Sequence, residues 1–282
     1  MLHGPTRTLA LLVLLLMPAG CTSVFFHPLR KHVQTPQDLG LAYEDVYLSE
    51  GPRIHGWYLP AQGTHRATIL FLHGNAENIS THINSVAWLP QVGFAVFALD
   101  YRGFGRSEGS PTLAALSEDV EIATEYLKER EGSKNLCLFL YGESLGGSIG
   151  LHAAAKMAPQ RPYCAVISQS AFAGYRRVAG EKLDQFWLTR LLRTPLLWTI
   201  DRGYDPLDVV EQIAPTPTLF IHGTADQIVP PDHSRALFER ARSPKALWEI
   251  EGAGHIQALR SESSRQRFVE YLLAHRLSGS HP

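Results

Sequence analysis

Five short apolar runs without a formal charge recur along the chain: "ATILFL" (Ala67 to Leu72), "FAVFAL" (Phe94 to Leu99), "LCLFLY" (Leu136 to Tyr141), "CAVIS" (Cys164 to Ser168) and "TLFIH" (Thr218 to His222). A strand with one wet face alternates apolar and polar residues. Unbroken apolar runs of this length instead predict strands covered on both faces, as in a parallel sheet between helix layers. Helix-like stretches separate them. In "LAALSEDVEIATEYLKEREG" (Leu113 to Gly132), Leu116, Val120, Ala123 and Leu127 recur at spacings of three and four, and Gly132 stands where a C-cap is expected. Strands alternating with helices specify an α/β fold, mostly parallel. Ahead of them, "YEDVYL" (Tyr43 to Leu48) and "IHGWYL" (Ile54 to Leu59) flank "SEGPR" and predict an antiparallel hairpin. The 282 residues suit one catalytic domain, expected at 41–276.

The run ending at Tyr141 leads directly into "GESLGG", with Gly142, Ser144 and Gly146 at alternate positions. Glycine weakens regular elements, so this density points to a turn in which only glycine fits on either side of the serine. "GSIGLHAAAKMA" opens a helix just beyond. Strand, turn and helix together form the context of a nucleophile elbow, which lifts the serine hydroxyl above the sheet and aims a helix N-terminus at it. A serine hydroxyl needs a base to remove its proton and a carboxylate to orient that base. Asp226 follows the strand in "TLFIHGTADQIVP", and His255 follows the next apolar run in "ALWEIEGAGH". The candidate catalytic residues are therefore Ser144, Asp226 and His255, each at the C-terminal end of a strand, where open α/β sheets build their sites. After the strand ending at Leu72, "HGNAEN" places Asn75 where its backbone N–H would form an oxyanion hole with that of Leu145. His222 and His233 compete with His255 for the role of base. His222 directly precedes Gly223 at a strand end and reads as structural, while His233 falls in the next helix. His73 reads as shaping the oxyanion loop. Arg102 and Arg106 read as holding their own turn, and Glu143 is open to two readings, pocket wall or filler.

These motifs resemble those of the α/β-hydrolase superfamily of serine hydrolases, from about Tyr43 to about Leu273, and "DYRGFGRSEGSP" (Asp100 to Pro111) adds to the likeness. "HGNAEN", "GESLGG" and "HGTADQIVP" look most like a branch of small esterases that includes protein depalmitoylases. The resemblance implies hydrolysis of an acyl ester or thioester through an acyl-enzyme on Ser144, with no cofactor. An aminopeptidase-like hydrolase of the same fold and a non-catalytic lipoprotein are the competing readings. No Cys/His spacing suits zinc, and a formal charge of −1 without basic runs argues against nucleic acid as a partner.

Near the start, Arg7 precedes "LALLVLLLM" (Leu9 to Met17), followed by "PAGC". The run is too short to span a bilayer and has the form of a secretory signal at 1–20. Cys21 after Ala19 and Gly20 resembles a bacterial lipobox, although Pro18 stands where that pattern usually has leucine. The likeness implies lipid on Cys21, a membrane partner through that anchor, and a periplasm-facing place in the cell envelope, with the outer membrane favoured because Thr22 follows. Residues 21–40 are expected to be a tether and lead-in. Cys137 and Cys164 lie in apolar runs and read as small core residues, with no disulfide framework. From 173 to 206, "KLDQFWLTRLLRTPLLWTI" is either a buried helix with its connection or a small helical cap over the site, in which Phe186, Trp187, Leu191 or Trp198 would line an acyl pocket.

Overall fold

The structure, a computed structural model, describes residues 26–48, 51–132, 137–184 and 193–276. The expected signal peptide, Cys21, Phe186, Trp187 and Leu191 lie outside the described residues. Among the described residues, ten strands run in the order β1 (His27–Pro28), β2 (Glu44–Leu48), β3 (Ile54–Leu59), β4 (Ala67–Leu72), β5 (Ala76–Glu77), β6 (Phe94–Leu99), β7 (Leu138–Glu143), β8 (Ala165–Gln169), β9 (Thr218–Gly223) and β10 (Lys245–Ile250). Helices α1 (Ile79–His82), α2 (Leu113–Glu131), α3 (Leu145–Met157), α4 (Tyr175–Asp184), α5 (Arg193–Trp198), α6 (Pro206–Val209), α7 (Asp232–Arg240) and α8 (Glu262–Arg276) lie between and after them.

Eight strands form one sheet, ordered β10-β9-β8-β7-β4-β6-β3-β2. Strands β2 and β3 pair antiparallel, from Glu44 opposite Tyr58 to Leu48 opposite Ile54, as the hairpin reading expects, and β3 meets β6 in the same sense. The remaining pairings are parallel. The apolar runs are buried on both sides. Leu70 and Leu72 of β4 join the cluster under α2 and α3, while Ile69 and Phe71 join the cluster under α8, with Phe268 and Leu272. Each such buried Leu or Phe stabilises the fold by about 2 kcal/mol relative to exposure. Helix α2 buries Leu116, Val120, Ala123 and Leu127; Thr112 caps its first turn by accepting from Ala115 N at 3.1 Å, and Gly132 closes it at φ 75°.

One expectation needs correction. Cys137 and Cys164 are not independent core residues: they form a disulfide, with Cα atoms 5.6 Å apart. They stand at the feet of β7 and β8, which are neighbours in the sheet, so strand pairing brings together residues that sequence spacing of 27 does not connect. Within the lead-in, the described residues pack on the body. Phe26 is buried against Phe104, with ring centroids 6.3 Å apart, and β1 pairs with β5. Leu29 N donates to Glu77 O at 2.9 Å, and Asn78 Nδ2 donates to the carbonyls of Leu29 and Lys31 at 2.8 and 2.9 Å. Residues 27–34 thus form a strap across the loop that follows β4.

Candidate active site

Chain order and strand order diverge at β4: β6 lies on one side of it and β7 on the other. The loops leaving β4 and β7 therefore part, opening a crevice at their C-terminal ends. Ser144 occupies that crevice. Its backbone sits at φ 53°, ψ −114°, a strained conformation for a residue with a side chain. The flanking glycines are required: a Cβ on Gly142 would strike the backbone of Gly146, and one on Gly146 would strike the carbonyls of Leu72 and His73. From 137 to 150 every residue is buried except Ser144, which is half-exposed at the start of α3.

Asp226 and His255 come together above the ends of β9 and β10. His255 Nδ1 donates to Asp226 Oδ2 at 2.8 Å, which leaves Nε2 as the acceptor nitrogen of the neutral ring. The other carboxylate oxygen accepts from Ile228 N and Val229 N, both at 2.9 Å. Burial raises the Asp226 carboxyl, but hydrogen bonds from His222 and His255, the His255 charge and the backbone of Val229 outweigh it and hold the group below the ordinary carboxylate range. His222 is wholly buried and its ring is fixed: Ser234 Oγ lies 2.6 Å from Nδ1, and Nε2 faces Val229 O at 2.9 Å and Asp226 Oδ2 at 3.2 Å. It meets the same carboxylate oxygen as His255. His233 pins α4, reaching Glu181 Oε2 at 2.8 Å. Among the described residues no hydrogen bond joins Ser144 Oγ to His255 Nε2; such bonds commonly tighten only when substrate is bound.

Leu145 is the first residue of α3, so its N–H has no partner within the helix. Asn75 is half-buried on the loop after β4, across the crevice from it. His73 is fully buried beneath that loop, stacked at 4.5 Å on Tyr101, whose hydroxyl donates to His73 O at 3.0 Å. Burial pushes the His73 imidazole down to about 3. Four of the five non-glycine residues with positive φ among the described residues, Glu77, Ser144, Ser170 and Ile256, lie at these strand ends. Strain concentrated there marks a functional surface.

Sequence reading missed three parts of this region. A cleft of about 450 Å³ beside the elbow is lined by Glu77, His82, Glu143, Ile256, Arg260 and Arg265, among others. Glu143 is buried, its Oε1 2.9 Å from the Tyr141 hydroxyl, while Oε2 has no hydrogen-bond partner and lies 3.8 Å from His82 Nδ1. Second, Asp100 sits in a buried network: Oδ2 is 2.8 Å from His32 Nε2 and 3.1 Å from His55 Nδ1, and Oδ1 accepts from Ile79 N at 3.0 Å. These three side chains offer ligand atoms within 4.8 Å of one another, but direct hydrogen bonds already engage those atoms. Third, Arg102 holds more than its own turn, pairing with Glu118 at 2.7 Å and with Asp119 on α2. Glu77, Glu143, Asp100 and Arg102 all stood in stretches that motif reading singled out, but their partners could not be read from those stretches.

The family model described as "Serine aminopeptidase, S33" matches residues 63–209. The YfhR protein of Escherichia coli is 31% identical over 266 residues, covering 92% of this chain and 89% of that protein. The chain belongs to this α/β-hydrolase family. A membrane protein of Saccharomyces cerevisiae is 32% identical over 231 residues, 80% of this chain and 78% of its own. Among solved structures, an esterase from Pyrococcus furiosus superposes with a TM-score of 0.70 at 20% identity, covering 88% of this chain and 97% of that one. At that identity the likeness concerns the α/β-hydrolase fold alone.

The excursion of this α/β-hydrolase between β8 and α6 holds α4 and α5 on the catalytic side. Lys182 Nζ reaches Gln227 O at 3.3 Å, and Arg176 binds Ile200 O at 2.7 Å. Its two ends meet, with Leu207 N donating to Ala173 O at 3.1 Å. Trp198, expected as a candidate lining of an acyl pocket, is 74% exposed and does not line the cleft beside the elbow.

Proposed function

We propose that the chain is an envelope-anchored serine hydrolase that cleaves ester or thioester bonds of acyl substrates. The single observation that carries this reading is the His255–Asp226 hydrogen bond at 2.8 Å on the same face as a strained, half-exposed Ser144. Ser144 Oγ attacks the acyl carbonyl as His255 Nε2 takes its proton, and Asp226 stabilises the imidazolium. The oxyanion lies between the N–H groups of Asn75 and Leu145. Collapse expels the alcohol or thiol, which leaves with the proton from His255. Water then attacks the acyl-enzyme by the same route in reverse, releasing the acid and Ser144. Lipid on Cys21 would hold the enzyme in the envelope, and the Cys137–Cys164 disulfide supports export, since such bonds persist in oxidising compartments. Fluorophosphonate labelling and p-nitrophenyl ester hydrolysis test the assignment. Both should occur in the wild type and vanish in Ser144→Ala; turnover by the folded variant would sink it.

A second reading, amide hydrolysis at a free N-terminus, is favoured by the name of the family model and by Glu77 and Glu143 on the cleft, which could take a substrate ammonium. Comparing aminoacyl p-nitroanilides with acyl esters of equal size separates the two.

A further inference from the structure

The strap brings the N-terminal end of the described chain to the mouth of the crevice. His27 stands opposite Ala76, the neighbour of Asn75, so the chain enters at the catalytic face and not at the feet of the strands. Six peptide units separate Cys21 from His27. Even fully extended they span only about 20 Å. An acyl group on Cys21 therefore confines the crevice to the immediate neighbourhood of the bilayer.

The same face carries three of the six exposed large apolar side chains among the described residues: Val33 at 60%, Trp198 at 74% and Ile228 at 53%. Each belongs to a different element fixed around the site. Val33 is held on the strap, its N–H donating to Ser80 Oγ at 2.9 Å. Ile228 is held on the Asp226 loop, and Trp198 on α5, whose partner α4 is tied to that loop through Lys182. Exposed apolar side chains spaced around an opening suit a surface that is wet at one level and apolar just below it, and tryptophan favours that boundary. We propose that this rim docks on the lipid bilayer, so that the mouth faces the membrane and the enzyme takes its acyl substrate from the bilayer surface. The proposal rests on the lipidation of Cys21 and the ester hydrolysis proposed above.

The test uses full-length protein in phosphatidylethanolamine–phosphatidylglycerol vesicles, with and without brominated acyl chains. Trp198 should be quenched by the brominated lipid, and Trp198→Phe should lose that quenched component. Trp198→Ser should hydrolyse a dissolved p-nitrophenyl butyrate within twofold of wild type, yet act at least fivefold more slowly on a palmitoyl ester embedded in the vesicles. Quenching that is absent, or equal in Trp198→Phe, overturns the docking, as does an equal effect of Trp198→Ser on both esters. A dimer in detergent that Trp198→Ser dissociates would assign the patch to a second copy and likewise overturn it. Mass spectrometry of Cys21 and the dissolved-ester assay report separately on the two underlying readings: bare Cys21 removes the anchor, and loss of butyrate hydrolysis in wild type removes the esterase.

Discussion

Replacing Asp226 by Asn removes one charge while keeping the shape of the side chain. The amide oxygen must stay on the Oδ1 side, where it accepts from Ile228 N and Val229 N. The new NH2 then faces His255 Nδ1, formerly 2.8 Å from a carboxylate oxygen. Two donors cannot face each other, so the imidazole protonates on Nε2 and presents Nδ1 as the acceptor. The nitrogen that should take the Ser144 proton now carries one. In serine hydrolases that use this constellation, the wrong tautomer lowers turnover about 10⁴-fold, or about 5 kcal/mol of transition-state stabilisation. Stability should change much less. The variant loses charge-assisted hydrogen bonds and sets the amide against His222 Nε2, for a cost of roughly 2 kcal/mol. The assay is kcat/KM on a p-nitrophenyl ester beside urea unfolding of the same preparations. A folded Asp226→Asn protein within tenfold of wild type would refute the assignment of His255 and Asp226 as the base and its partner.

Other expectations follow from single contacts. Ser144→Ala should abolish fluorophosphonate labelling with melting temperature unchanged within a few degrees. Gly146→Ala should leave little soluble protein, or none that is active, because its Cβ meets the carbonyls of Leu72 and His73; a soluble, fully active variant would contradict the elbow packing. Replacing both Cys137 and Cys164 by Ser removes a covalent loop of 27 residues, and the chain-entropy limit for its loss is about 3.5 kcal/mol, read by guanidinium unfolding against the oxidised wild type. His73 titrates at about 3 in the folded chain, below its ordinary value of 6.5, so the unfolded chain binds that proton first. Stability should therefore fall as pH drops from about 6.5 toward about 3, by up to about 1.4 kcal/mol per pH unit from this group, and His73→Asn should flatten that slope in urea titrations.

The sheet was legible because burial on both faces makes its central strands read as largely apolar runs, and the elbow because glycine alone tolerates its backbone contacts. Ser144, Asp226 and His255 could be picked out because each stands within five residues of the end of a strand. The parts that escaped depend on contacts between distant segments. Nothing in "TPQDLG" or "KHVQ" announces that His32 meets Asp100, since a polar lead-in without periodicity carries no record of its partner. The disulfide escaped for the same reason: two cysteines in apolar runs look like packing until strand order makes β7 and β8 neighbours. His82 lies on a helix of four residues, too short for any pattern.

The meeting of Ala173 and Leu207 at the base of the excursion has an evolutionary consequence. A segment whose ends already touch can lengthen, shorten or be exchanged without moving the strands on either side, because the cost of closing a loop grows only slowly with its length. The sheet and elbow can then stay constant while the segment above them diversifies, so substrate range in such chains can change by replacing one module while the reaction itself is inherited intact.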